Sequence, residues 1–354
     1  MIIYSKNSNL NNAAFGRIQT PIRMVIENQS DILSKQGGIR DWLFNVEKSN
    51  KFGETIVTQN EFGTFMPVTE GGSAESDTVI QTGTKFIEHI QYMKEFIVTA
   101  EMLEDCNYGL AVDAKRRAEN FTRAYYKTMN YLCELSLSAG TSEFIEYGNT
   151  TINLCTADNM PLFSKTHRWG SSSATTGTQS NMFYGNICST GTGSARKLSA
   201  EAFEEGLAEL SVKIRNMKDE NGEPMGYTAD TIILPGNKPK LEQIVKKVCG
   251  SEYAPGTNHN DINLNYGRWN VIVLPHWQVG ENKLMVMSSE ANKNLSGNMF
   301  FNRIPLTISD WVDNHTGNYY WNGRCRFGLG FGSYKHILLA TDSEIDLSDS
   351  YTKI

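Results

Sequence analysis

The feature that most restricts what this chain can fold into is an unbroken helical pattern between Asn107 and Gly140. Small or apolar residues recur at Ala118, Phe121, Tyr125, Met129, Leu132, Leu135 and Ala139. Those steps of three and four keep one stripe on one face of a 3.6-residue period. No proline interrupts the run, and Gly140 stands where a left-handed C-terminal cap is expected. At ~1.5 Å per residue such a helix is a rod on the order of 45 Å long. A rod of that length needs other elements laid along it, and Phe121, Tyr125, Leu132 and Leu135 are the expected core contacts. The opposite face carries Lys115, Arg116, Arg117, Arg123 and Lys127 beside acids that include Glu134. It reads as a solvated face or as a contact with nucleic acid. Just upstream, Thr99 to Asp105 reads as a short capped helix.

The chain has 354 residues and a formal net charge of −6, enough to bury a core in one large or two medium domains. Mild acidity gives no general attraction to phosphates or anionic membranes. The cysteines, Cys106, Cys133, Cys155, Cys188, Cys249 and Cys325, form no CxxC pair and have no histidine at zinc-finger spacing. Free thiols are expected. The N-terminus, Met1 to Lys6, lacks a signal-peptide pattern, and no apolar run reaches ~18 residues.

Residues 1–50 read as an arm, rich in Asn and Ser near its start, with a modest amphipathic stretch from Ile22 to Leu33. Residues 51–98 read as a long two-stranded hairpin, with strands at Glu54 to Val68 and Val79 to Val98 and a tip at Glu70 to Asp77. Its alternation is poor, and a two-stranded ribbon is marginal alone in water. The hairpin is therefore expected to lean on another copy through Phe62, Phe65, Met66, Phe86, Ile90 and Tyr92. After the long helix, Gly170 to Ser194 is dominated by small polar residues and reads as a surface loop. Ser199 then caps a helix with its stripe at Phe203, Leu207, Leu210, Ile214 and Met217. A strand–helix–strand unit follows: Thr231 to Pro235, a helix with Leu241, Ile244, Val245 and Val248 inward, a polar loop from Gly250 to Gly267, and Val271 to Pro275. Strands are expected at Lys283 to Met287, Pro305 to Ile308 and within Tyr319 to Ala340. The class is α+β.

Candidate chemistry is sparse. Ser164 and His167 sit three apart, with His276 elsewhere, but no Gly-x-Ser-x-Gly turn surrounds Ser164. His259 and Asp261 lie in a loop without a His-x-x-x-His motif or carboxylate cluster. Gly328, Gly330 and Gly332 alternate with Phe327, Leu329 and Phe331, the period of a closely packed strand and not of a phosphate loop. Arg324 and Arg326 among aromatics suit a core strand as well as a single-stranded nucleic-acid surface. No catalytic, metal or cofactor residue is assigned.

The order of arm, long hairpin containing Thr69-Glu70-Gly71-Gly72, long helix and mixed unit resembles a tailed-phage major capsid protein of the Hong Kong 97 fold. A narrower similarity is to the Mu-like major head subunit family, carried by Leu162-Phe163-Ser164-Lys165-Thr166-His167, Ser180-Asn181, Leu198-Ser199 and Asp219-Glu220-Asn221-Gly222-Glu223-Pro224, in that order. The chain departs from that pattern at Arg168-Trp169, where a proline is common, and in a longer loop before Leu198. The resemblance implies an N-terminal arm (1–50), an extended loop (51–98), a peripheral domain (99–160 and 300–354) with spine helix 107–139, and an axial domain (161–299). It implies a structural shell protein and no enzyme, with pentamers and hexamers enclosing double-stranded DNA in a virion assembled in the host bacterial cytoplasm. Scaffolding, portal and decoration proteins are the partners it implies, with DNA contacted non-specifically and no membrane. A protein-storage nanocompartment of the same fold and a Ser164/His167 hydrolase are the alternatives.

Overall fold

The computed structural model describes residues 3–4, 13–59, 62, 64–74, 76, 81–99, 101, 109–169, 177–185, 189–190, 197–252 and 262–342. Most of the short helix expected at Thr99 to Asp105 lies outside them, as do Cys106, Cys188, His259, Asp261 and most of the Gly170 to Ser194 loop. Two compact units divide the chain: Met1–Glu54, Ile87–Cys133 and Phe300–Leu329 form one, and Thr55–Phe86, Glu134–Met299 and Gly330–Ile354 the other.

The spine helix runs Gly109–Ser138, as its stripe predicts. In the first unit it packs on a five-stranded sheet ordered Ile3–Tyr4, Asn298–Val312, Tyr319–Phe331, Ile90–Val98, with Asn45–Lys48 also paired to Asn298–Val312. Ala118 and Phe121 meet Val98, Leu306, Ile308, Tyr319 and Trp321 in one buried cluster, with Tyr125 and Phe96 at its margin. Phe96 stacks on Trp321 with centroids 5.2 Å apart. Gly323 sits where a methyl would lie 2.3 Å from the Phe121 ring, so the strand meets the helix only because it has no side chain there. Lys115, Arg116, Arg117, Arg123 and Lys127 are all exposed.

In the N-terminal segment, Ala13–Gln36 is a 24-residue helix. Ile22 and Ile26 enter the same cluster as Phe121 and Trp321. Arg23 pairs with buried Asp310 at 2.5 Å, and Ser30 Oγ and Tyr126 OH share a hydrogen bond of 2.9 Å. The hairpin is also shorter than expected. Its strands are Gly53–Gln59 and Gln81–Glu88, and after His89 the chain begins a separate strand, Ile90–Val98, paired antiparallel to Tyr319–Phe331 from Phe327↔Ile90 to Tyr319↔Val98.

In the second unit a five-stranded sheet is ordered Met182–Tyr184, Ile337–Thr341, Lys283–Met287, Thr231–Pro235, Asn270–Leu274. The expected strand–helix–strand unit is present, with Thr231–Pro235 parallel to Asn270–Leu274. Helices Ala200–Arg215 and Pro239–Gly250 cover one face through Phe203, Leu207, Leu210, Ile214, Leu241, Val245 and Val248. Tyr319–Phe331 packs on the spine helix, whereas Ile337–Thr341 joins this second sheet.

Two buried polar residues lock this unit. Glu134, placed on the solvated helix face from sequence, is instead buried. Its carboxylate accepts from the backbone N–H of His276, from His276 Nδ1 at 2.7 Å and from the Trp277 N–H at 3.2 Å. His336 is fully buried, and its Nε2 meets Asn298 Oδ1 at 2.8 Å, so Nε2 carries the proton. Burial, which outweighs the Ser333 backbone bond that favours the cation, drops its pKa to about 3. The buried His89 is lowered in the same direction, also by burial. A depressed histidine contributes stability that is present above its unfolded pKa of about 6.5 and is lost as pH falls toward 3. Denaturant melts between pH 8 and pH 4 should show stability falling by ~3 kcal/mol through His336. In His336→Gln that slope should flatten; an unchanged slope would remove His336 as its source.

Cys133, Cys155, Cys249 and Cys325 are free thiols, all buried. Burial pushes Cys249 up to about 11 and Cys325 up to about 12.

Candidate assembly interface

The base of the hairpin is anchored by its own unit. Thr82 Oγ1 donates to Thr58 Oγ1 at 3.0 Å, and Thr58 Oγ1 donates to the Gly83 carbonyl at 3.2 Å. A methyl on Gly83 would lie 2.4 Å from the Ala157 carbonyl, so the strand is pressed against that loop. Lys85 is buried here. Its Nζ donates to Asn153 Oδ1 at 2.7 Å and to the Asn153 carbonyl at 3.2 Å. Burial lowers its pKa to about 8. Held this way, Lys85 is not a lysine offered to a neighbouring chain.

Beyond this base the hairpin changes character. Residues 64–74 pair with no strand and contain one reverse turn, closed by the Gly72 N–H on the Thr69 carbonyl at 2.8 Å, with Gly71 at φ +82°. Phe62 and Met66 are 73% and 64% exposed, Phe65 is fully exposed, and Phe86 and Val68 are more than half exposed. Four large apolar side chains within seven residues, exposed among the described residues, form a surface of the kind that marks association.

The six residues predicted for inter-subunit contact therefore separate. Phe62, Phe65 and Met66 lie beyond the anchored base of the hairpin, and Phe86 is an exposed residue of that base, next to Lys85. Ile90 and Tyr92 lie in the first sheet instead, half-buried, with Tyr92 stacked on Phe327 at 4.4 Å. Of the predicted spine-helix contacts, Phe121, Leu132 and Leu135 are buried and Tyr125 is half-buried. Sequence reasoning missed a second exposed apolar set, Ile262, Leu264 and Tyr266. Asn263 anchors this loop, donating to the Val248 carbonyl at 2.5 Å and the Ser251 carbonyl at 2.8 Å. The alternation of Ile262-Asn263-Leu264-Asn265-Tyr266 was the available signal, hidden inside a stretch read as a polar loop.

The residues weighed for catalysis do not converge. His167 is fully buried, with Nδ1 2.8 Å from Asp158 Oδ2 and Nε2 3.2 Å from the Leu162 carbonyl, and it stacks on Tyr334 at 3.7 Å. Burial alone would raise the Asp158 carboxyl, but the His167 hydrogen bond and charge hold it below the usual range. Ser164 Oγ lies 3.5 Å from Thr166 Oγ1, and His276 is bound to Glu134. The cluster ties a loop together, and both His167 nitrogens are occupied. Among the described residues, no three His, Cys, Asp or Glu side chains are grouped to hold a metal ion.

No family model matches the chain, and no curated protein matches it. Solved structures do. The capsid of Myoviridae phage XM1 matches with a TM-score of 0.50 at 13% identity, over 86% of this chain and 92% of that one. The capsid of cyanophage P-SCSP1u matches with a TM-score of 0.51 at 11% identity, over 87% and 89%. The fold is the Hong Kong 97 capsid fold that the sequence resembles.

Proposed function

We propose that this chain is the major subunit of an icosahedral phage head, assembling as pentamers and hexamers around double-stranded DNA. The observation that carries this reading is the loop with Phe62, Phe65 and Met66, whose large apolar side chains are exposed among the described residues. A closed shell covers such a surface once per subunit by repeating one contact. The fold shared with two phage capsids supports the same reading. A net charge of −6 suits an inner wall that must not adhere to packed phosphate. The partners that go with it are scaffolding, portal and decoration proteins, with DNA contacted non-specifically, and the particle is built in a bacterial cytoplasm. Among the described residues, no helix is long and apolar enough to cross a membrane.

Sedimentation and electron microscopy of the purified protein test this. Closed particles that protect DNA from nuclease are expected. Monomers or dimers alone, across assembly conditions, would overturn the shell. Particles filled with protein would instead make it a storage compartment of the same fold.

A further inference from the structure

The outward face of the spine helix carries one sign of charge. Ala118, Phe121, Tyr125 and Met129 turn inward, and on the opposite side Arg116, Asn120, Arg123 and Lys127 follow one another in steps of four, three and four. All four are exposed, as are Lys115 and Arg117 beside them. Arg117 is used within the subunit, donating to the Ile97 carbonyl at 2.8 Å. The helix has three acids: Asp113, ahead of the ridge in sequence, Glu119, half-buried, and Glu134, buried on His276.

A solvated helix face ordinarily alternates sign and laces itself with ion pairs four residues apart. Glu119 stands four residues from both Lys115 and Arg123, yet among the described residues it pairs with neither. The ridge is therefore left cationic in a chain whose net charge is −6. The helix Ala13–Gln36, alongside at Ser30 and Tyr126, exposes Glu27, Asp31 and Lys35, so it offsets the ridge only in part. From Arg116 to Lys127 the ridge runs roughly 16 Å at ~1.5 Å per residue. Duplex DNA carries one phosphate charge per ~1.7 Å of its axis, so a duplex lying along the ridge sets phosphates beside each cation. Arginine meets phosphate with a two-pronged fork, and asparagine adds a neutral donor.

We infer that the Arg116/Arg123/Lys127 ridge of the spine helix seats the phosphate backbone of duplex DNA, without regard to base sequence. The inference rests on the shell reading above for the identity of the polyanion. Three cations on an acidic subunit make a weak contact singly, and a shell repeats it at every copy.

The test measures fluorescence anisotropy of a short labelled duplex with the full chain over a salt series. Contact with three phosphates predicts a slope of log affinity on log salt of about −2.7, the same for duplexes of unrelated sequence. Arg116→Gln, Arg123→Gln and Lys127→Gln together should weaken binding by about tenfold or more and bring the slope toward zero, with the thermal melt unchanged. If that variant melts early, the single changes decide, and each should take about one from the slope. Arg116→Lys with Arg123→Lys keeps the charge and should keep the slope. Lys240→Gln, Lys246→Gln and Lys247→Gln together remove as much charge from exposed lysines of the second unit and should leave the slope alone. A wild-type slope near zero, an equal loss from the two triple variants, or polyglutamate that binds as tightly as the duplex overturns the ridge as a DNA seat. Wild-type particles alongside a flat salt slope overturn the ridge and keep the shell. The expected slope from protein that never closes into particles overturns the shell and keeps the ridge as a duplex site.

Discussion

Replacing residues 64–74 with a short Gly-Ser turn is expected to give a soluble protein that melts cooperatively near the wild-type temperature and forms no particles. The replaced residues pair with no strand and leave their large side chains in solvent, so folding loses little apolar burial with them. Among the described residues, the contacts that anchor the hairpin lie below the cut: the Thr58–Thr82 bond, Gly83 against Ala157, and Lys85 on Asn153. Assembly would lose Phe65, Met66 and Val68 at every repeated contact, and a modest loss per contact multiplies over a closed shell. Normal shells from this variant would show that the loop is not the contact between subunits. A variant that fails to fold would place residues 64–74 in the subunit's own core.

The other large effect should come from Glu134→Ala. Glu134 is a buried carboxylate that accepts three N–H bonds from His276 and Trp277, 142 or more positions along the chain. Its removal leaves two backbone donors without their acceptor, and breaking a buried charged contact of this kind costs ~3–5 kcal/mol. Glu134→Gln keeps an acceptor oxygen and should cost about half as much. Denaturant melts of the two variants decide it. A loss below about 1 kcal/mol for Glu134→Ala would mean that water replaces the carboxylate.

These sites show where the sequence was legible. Regular apolar periods were read correctly: the spine stripe, the Phe203 to Ile214 stripe, and the strand–helix–strand unit from Thr231 to Pro275. Each buries a continuous face, so local pattern and tertiary packing agree. Among the described residues, the N-terminal helix meets the core through Ile22 and Ile26 with Val25 beside them, and Ser30 bonded to Tyr126 extends that face. A polar residue that completes a buried face leaves no apolar signal. The hairpin was read too long because its poor alternation came from two strands in different sheets, separated at His89. Lys85 added to this, since a buried lysine satisfied by Asn153 looks exposed in a hydropathy pattern. Glu134 has the same origin, and its partners lie too far along the chain for any local window. Of the candidate interface, Phe62, Phe65 and Met66 were legible as aromatics and methionine where a ribbon cannot bury them. Ile262 and Leu264 were not, because their alternation spans only five residues.

The buried thiols have a practical meaning for anyone who labels this protein. A thiol reacts through its thiolate, and Cys249 and Cys325, held near 11 and 12, supply almost none at neutral pH. Cys133 and Cys155 are raised by burial as well. None of the four therefore competes with a cysteine introduced at Thr64 on the projecting loop. A maleimide dye added to folded protein would mark that loop ahead of these four, and its quenching as copies close over one another would report assembly in real time.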